Sequence, residues 1–340
     1  YLDEIVHRKI KYRYVISNHI MGGNSVSPQP VALLQKMRCW GKDKVKALIN
    51  LGCRLSGRPR RYAYHIDPCQ YPPLQAGMRQ IRFMYGADIS DTWSLDDWNA
   101  IYDVFLCHGP NDERHLKARF KGFTAIMGYP RYDRYFSANL STEAVSAEFG
   151  IDRTKETLLW MPTFDMFKDD VCSIPFFARE LAKLNADFNI IVRPHPISFR
   201  ADPEGIALLE SLDFRIDRDA MRDMNPLFKL ADAVLCDHGG SAFGALYLGK
   251  KLVFLKTPSK KSATVVKGSS NSELMAHFPG LEPYEVGRLP ALLADRAFWA
   301  DKREEYSTLS DRYFADYRGT SAKKTVEILR RLGTILGRVN

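Results

Sequence analysis

From residue 157 onward the chain alternates short, nearly unbroken apolar runs with amphipathic stretches, and this rhythm limits the possible folds more than any other feature. The runs are TLLWMP (157–162), NIIVRP (189–194), FRI (214–216), AVLCD (233–237) and KLVFL (251–255), with helices expected near 175–186, 203–211 and 225–231 and again from 241. Strands apolar at every position must be covered on both faces, which parallel sheets flanked by helices provide. The first half repeats the pattern less regularly, with strands expected at 12–17, 45–51, 62–66, 81–85, 103–107 and 124–128 and helices near 29–39, 70–78, 112–121 and 141–149. A chain of 340 residues accommodates two domains, each with its own core. The expected architecture is α/β, two Rossmann-like domains with parallel sheets and a cleft between them. The first covers 1–150 and the second 151–315. Residues 316–340 return to the first as a helix with Val326, Leu329, Leu332 and Leu336 on one face.

In open α/β sheets, ligands lie beyond the carboxyl ends of the strands, and there this sequence places its unusual polar residues. Thr163 and Asp165 follow the strand at 157–162, Arg193 and His195 end the strand at 189–194 in an Arg-Pro-His-Pro turn, and His238-Gly239-Gly240-Ser241 follows the strand at 233–237. The Gly-Gly-Ser turn opens a helix, so its unpaired N–H groups and roughly half a positive charge of helix dipole favour a phosphate. Such a turn also serves as an ordinary helix cap. Arginine offers a planar fork to phosphate, and a histidine with an ordinary pKa near 6.5 suits proton transfer or a hydrogen bond to a phosphoryl oxygen. In the first half, Gly22 and Gly23 form another glycine-rich loop after a strand, expected on the acceptor side.

Composition narrows the partners. The net charge of +9 favours anionic ones, either nucleotide-linked donors or an anionic membrane surface met peripherally. No finger spacing or interleaved stacking aromatics accompany the basic residues, so nucleic acid is not expected. No apolar run is long enough to cross a bilayer, and the charged start shows no signal peptide, which leads to an expected cytoplasmic location, peripheral at the inner face of the plasma membrane. The six cysteines, at 39, 53, 69, 107, 172 and 236, lack paired spacing and read as reduced core thiols. Neither a G-x-G-x-x-G fingerprint, a GxxxxGK[ST] loop nor a metal-binding pattern occurs, so no cofactor and no metal are expected.

Four segments in register, GYPRYDRYF (128–136), LLWMPTFD (158–165), IIVRPHP (190–196) and NPLFKLADAVLCDHGGSAFGALYLGKKLVFL (225–255), resemble the CDP-glycerol glycerophosphotransferase family, which builds teichoic-acid-type polymers on a GT-B scaffold. The resemblance covers about residues 80–256. It implies that His195 engages the donor phosphate, that Gly240 and Ser241 form the pyrophosphate turn, and that a glycan or glycolipid acceptor approaches from the first domain. Gly239-Gly240 stand where the family usually has a bulkier residue and a serine. The family's acceptor-side base is a histidine in a WHGTP-like turn. Two stretches compete for its place, FLCHGP with His108 and IRFMYGAD with Tyr85, and the second lies at the better distance from GYPR.

With Tyr85 there, the base must come from elsewhere, because a phenol with a pKa near 10 is poorly matched to the task at neutral pH. Asp88 and Asp91, just beyond that turn, are candidates from the acceptor side. Asp165 is a candidate in the second domain, where it suits an alternative reading: a retaining transferase of the CMP-Kdo type, also GT-B in architecture, with Asp165 as nucleophile. A further alternative is a degenerate, non-catalytic module that binds nucleotide or polymer. The leading expectation is a transferase that uses a CDP- or CMP-linked donor to extend a bacterial cell-surface polymer.

Overall fold

The computed structural model describes residues 14–16, 64–67, 79–84, 86–89, 91, 93–95, 99, 102–164, 171–258 and 268–337. The chain divides into two compact units, 1–130 with 311–340, and 131–310. The junctions expected from sequence were at 150 and 315. Residues 131–150 sit with the second unit because that unit bonds them: Asn225 donates to the Arg131 carbonyl (3.1 Å) and accepts from the Tyr135 N–H (3.1 Å), and Arg215 Nε donates to the Phe149 carbonyl (2.7 Å). The Asn of the NPLF segment thus fastens the GYPRYDRYF segment in place. Tyr132 packs edge-on against Phe228, and its hydroxyl lies so close to Gly244 that a Cβ there would collide with it.

In the first unit, β1 (Tyr14–Ile16), β2 (Tyr64–Asp67), β3 (Arg79–Phe83), β4 (Val104–Cys107) and β5 (Phe123–Ile126) form one parallel sheet in chain order. The strand expected at 45–51 and the helices near 29–39 and 70–78 lie outside the described residues. Helix α1 (Pro110–Arg119) begins with proline at its first position, where a missing N–H costs nothing.

The second unit holds β6 (Thr157–Met161), β7 (Asn189–Val192), β8 (Arg215–Ile216), β9 (Ala233–Cys236), β10 (Lys251–Leu255) and β11 (Gly280–Leu281). They pair in parallel in the order β11-β10-β9-β6-β7-β8. The chain therefore winds outward from β6 in one direction, then returns to start again at β9, which is the dinucleotide-fold order with its switch point between β6 and β9. Leu158, Trp160, Ile190, Val192, Ala233, Leu235, Val253 and Leu255 carry the buried cluster on one face of this sheet. Helix α2 (Ile174–Ala182) lays Ile174, Phe177, Ala178 and Leu181 on it, the spacing of a single helical stripe. Helix α3 (Pro203–Ser211) is capped by Asp202 accepting from the Gly205 N–H, and α4 (Met224–Leu230) by Asp223 accepting from the Asn225 N–H. Beyond β9 lies α5 (Gly240–Tyr247), and beyond β10 lies α6 (Ser270–His277).

The last helix, α7 (Ser321–Gly337), belongs to the first unit. Val326, Leu329 and Leu332 join Ile81, Phe83, Val104, Leu106 and Met127 in one core. Its first residue, Ser321, accepts the Tyr129 N–H at 3.1 Å, and Gly128, at φ 84, has no room for a Cβ beside the Ser321 hydroxyl. Residues nearly two hundred positions apart are thereby locked. Leu329→Ala would remove a side chain that is almost wholly buried and is expected to cost the first unit about 2–4 kcal/mol, read as a shifted first transition in urea unfolding.

Candidate functional site

The carboxyl ends of β6, β7 and β9 are adjacent, so the turns that follow them meet at the switch point. Asp237, one residue past β9, is the joint. It is buried, and its carboxylate accepts the Thr163 N–H (3.0 and 3.1 Å to its two oxygens), the Ser173 N–H (2.8 Å) and the His238 N–H (2.9 Å). One side chain thus fastens the end of β6, the start of α2 and its own turn. Burial raises the carboxyl pKa, opposed by the neighbouring His238 and by the Ser173 and Thr163 donors. Ser173 in turn accepts from the Trp160 indole N–H (3.0 Å), so the aromatic core of the sheet reaches this joint directly.

The turn itself needs glycine. Gly239 has φ 93 and ψ −165, a region that side chains with a Cβ rarely enter. It follows that the backbone bends sharply into α5. The Gly239 N–H is donated to Asn271 Oδ1 (2.9 Å), while the Gly240 and Ser241 N–H groups find no acceptor among the described residues and lie partly exposed at the start of the helix. Burial, with the neighbouring Asp237, pushes the Cys236 thiol up, opposed by the Ser241 hydroxyl. His238 is buried, with Nδ1 3.9 Å from Asp237 Oδ1.

The Arg-Pro-His-Pro turn is held from two sides. Its backbone continues the pairing of β7, with the Arg193 N–H on the Trp160 carbonyl (2.8 Å) and the His195 N–H on the Pro162 carbonyl (3.3 Å). The Arg193 guanidinium, expected from sequence to face phosphate, is buried and ion-paired with Asp217, and it also donates to the Asp219 carbonyl (2.9 Å). Burial of a guanidinium demands such partners, and the result is a brace for the loop after β8. Arg222 donates to the same Asp217 (2.8 Å) and pairs with Glu148.

His195 is partly exposed and packs against Phe164 with the two rings tilted by 37° and their centroids 4.4 Å apart. Desolvation, with the neighbouring Arg193 charge, pushes its imidazole down to about 4. It is therefore neutral at pH 7. The Ile197 N–H donates to Nδ1 (3.2 Å), so the ring proton resides on Nε2. Nε2–H is a hydrogen-bond donor, suited to a phosphoryl oxygen and unsuited to taking a proton.

Thr163, Arg193, His195, His238, Gly239, Gly240 and Ser241 thus share one edge of one sheet. Asp165 lies outside the described residues, as do Tyr85, Gly22 and Gly23. In the first unit, Asp88 sits in the short turn Ala87–Ile89 just after β3, half-buried, with Oδ1 folded back toward Gly86, and Asp91 is half-buried in the next turn. His108 directly follows β4, one strand further on. Its Nδ1 lies 2.9 Å from Asp112 Oδ2, its ring packs on Tyr129, and it is buried. Sequence reasoning missed Asp237 as the joint, Ser173, Asp217 and Asn271. Of these, only the aspartate ending an apolar strand beside a Gly-Gly turn carried a local signal. Among the described residues no group of three or more His, Cys, Asp or Glu side chains is placed to hold a metal.

The sequence profile of the family described as CDP-Glycerol:Poly(glycerophosphate) glycerophosphotransferase matches residues 93–330, well over half of the chain. A teichoic acid glycerol-phosphate primase of Bacillus spizizenii is 23% identical over 153 residues, which are 41% of this chain; the match spans only 37% of the primase's length. Among solved structures, the wall teichoic acid polymerase TagF superposes with a TM-score of 0.59 at 15% identity, covering 82% of this chain and 74% of that one. The Staphylococcus aureus MnaA structure with UDP superposes with a TM-score of 0.54 at 13% identity, covering 86% and 81%. These likenesses show a GT-B-like α/β fold.

The lowered His195 pKa has a measurable sign. An unfolded imidazole takes its proton near pH 6.5 and the folded one only near 4, so stability is lost as pH falls through that window. Between pH 7 and pH 5, wild type is expected to lose about 1–2 kcal/mol more than His195→Gln in urea unfolding.

Proposed function

Since the chain belongs to the CDP-glycerol:poly(glycerophosphate) glycerophosphotransferase family, we propose that it transfers glycerol phosphate from CDP-glycerol to the growing end of a teichoic-acid-like cell-envelope polymer. The observation that carries this reading is the convergence of the Gly239-Gly240-Ser241 turn, His195 and Thr163 at the switch point of the second sheet. The open N–H groups of Gly240 and Ser241, at the positive end of α5, receive the donor's pyrophosphate. His195 Nε2–H donates to a phosphoryl oxygen, and Thr163 and His238 line the same turn. Arg193 acts through the brace it forms with Asp217 and adds its positive charge from behind the turn.

The reaction is an in-line displacement. The acceptor hydroxyl oxygen forms a bond to the phosphorus that carries glycerol, the bond from that phosphorus to the oxygen bridging it to CMP breaks, and CMP leaves with the electron pair. Negative charge grows on the leaving phosphate, which the helix dipole, the turn N–H groups and the His195 donor stabilise. Because His195 presents a proton, the hydroxyl's proton goes to another group; the carboxylates of Asp88 and Asp91, at the carboxyl end of β3, are the acceptor-side candidates. A nucleotide donor of this kind places the work on the cytoplasmic side, with the polymer's lipid-linked end at the membrane surface. No helix among the described residues is long and apolar enough to cross a membrane.

Calorimetric titration with CDP and UDP tests the donor class. CDP is expected to bind at least tenfold more tightly, and equal affinity would refute the cytidine assignment. His195→Ala is expected to lower transfer from CDP-glycerol by about a hundredfold or more, in the range that removal of a preorganised donor costs; a variant with full turnover would remove His195 from the site.

A further inference from the structure

The donor turn has a second support that comes from a different part of the chain. Helix α6 begins at Ser270, capped by Ser269 accepting from the Ser272 N–H (3.3 Å), and its second residue, Asn271, is almost wholly buried. Asn271 Oδ1 accepts the Gly239 N–H at 2.9 Å, across thirty-two positions of sequence. Three consecutive N–H groups in a glycine turn, at 239, 240 and 241, would otherwise compete for one anion. With the first fixed to an amide oxygen, the other two remain as a defined pair.

We propose that Asn271 is a positioning residue for the donor: its side-chain oxygen fixes the positive-φ conformation of Gly239 so that the Gly240 and Ser241 N–H groups are presented together to the pyrophosphate. The choice of an amide fits this task. An aspartate would accept the same hydrogen bond while setting a full negative charge one residue from the bound anion. An alanine would leave the Gly239 N–H without its acceptor and free the turn to pivot. Because Asn271 sits at the start of α6, beyond β10, it also ties the start of one helix to the start of another at the same sheet edge. The inference rests on the reading of this turn as the donor's pyrophosphate site, and it deepens that reading by naming what shapes it.

The test titrates wild type, Asn271→Ala and Asn271→Asp with inorganic pyrophosphate, CDP and cytidine. Wild type is expected to bind pyrophosphate and CDP. Asn271→Ala is expected to weaken both by about five- to tenfold, the loss of one organising hydrogen bond, with cytidine binding unchanged. Asn271→Asp is expected to weaken both further than Asn271→Ala, with the deficit shrinking as salt screens the added charge. Hydrogen exchange at the Gly239 amide should accelerate in Asn271→Ala and remain slow in Asn271→Asp, which separates loss of the hydrogen bond from general destabilisation. If Asn271→Ala binds pyrophosphate as wild type does, or loses cytidine to the same degree, the positioning role is refuted. So it is if Asn271→Asp binds pyrophosphate as tightly as wild type. If pyrophosphate binding depends on Asn271 but CDP gains nothing over UDP, the cytidine reading fails and the positioning role stands. A wild type that binds neither pyrophosphate nor CDP overturns both.

Discussion

The hydrogen bonds gathered by the buried Asp237 carboxylate are the constraint on which the ligand edge of the second sheet depends. At a switch point, two neighbouring strands send their chains to opposite sides, and nothing in strand pairing alone determines how the turns beyond them meet. Asp237 supplies that determination by accepting from Thr163 after β6 and from Ser173 before α2. Burying a carboxylate costs several kcal/mol unless its oxygens are satisfied. The donors here are backbone N–H groups that would themselves be stranded, at about 1–3 kcal/mol each, if the carboxylate were replaced by an apolar side chain. The cost and the benefit fall on the same few atoms, which is why this edge has one shape.

The Arg-Pro-His-Pro turn is fixed by a different kind of clamp. Arg193 reaches Asp217 after β8, and Arg222 completes the pair by linking Asp217 to Glu148. Burial of the His195 ring disfavours its charged form, and the guanidinium, though paired with its carboxylate, adds to this by disfavouring a second positive charge nearby. The Ile197 N–H then selects the tautomer. The outcome is a neutral imidazole whose donor is defined before any ligand arrives, the preorganisation that makes a hydrogen bond effective at a phosphoryl group. A histidine left in water, about one quarter charged at pH 7 and free to exchange tautomers, would present the same atoms with less consequence.

Much of this was legible in the sequence, and the remainder was hidden for identifiable reasons. The apolar runs at 157–162, 189–194, 233–237 and 251–255 became β6, β7, β9 and β10 because continuous apolarity has few other uses in a short segment flanked by helices. Their shared polarity of direction was enough to bring Thr163, His195 and the Gly-Gly-Ser turn to one edge. The fate of Arg193 was not legible, because a planar fork fits a carboxylate as well as a phosphate and the choice depends on an aspartate twenty-four residues away. Asn271 was hidden in a Ser-Ser-Asn-Ser run that reads as an ordinary helix start, and it is one, with Ser269 as the cap. The junction at 130 escaped because Asn225, not local composition, decides which unit holds residues 131–150.

Under the proposed reading of the Gly239-Gly240-Ser241 turn as the donor's site, its two glycines offset a lost hydroxyl. Where the family usually carries a bulkier residue and a serine, this chain has Gly239 with φ 93 and Gly240 with no side chain at all. A serine hydroxyl would add one donor, but it would also stand between the anion and the backbone. Without it, a phosphate bound as proposed would approach the Gly240 and Ser241 N–H groups directly and lie nearer the end of α5, where the helix field falls off within a turn. Electrostatic attraction gained by closer approach and a hydrogen bond lost with the hydroxyl are of similar size, so the exchange is close to neutral in affinity. What changes is the demand on the backbone: donors carried by the main chain are only as well placed as the turn is rigid, and in this chain that rigidity comes from Asp237 on one side and Asn271 on the other.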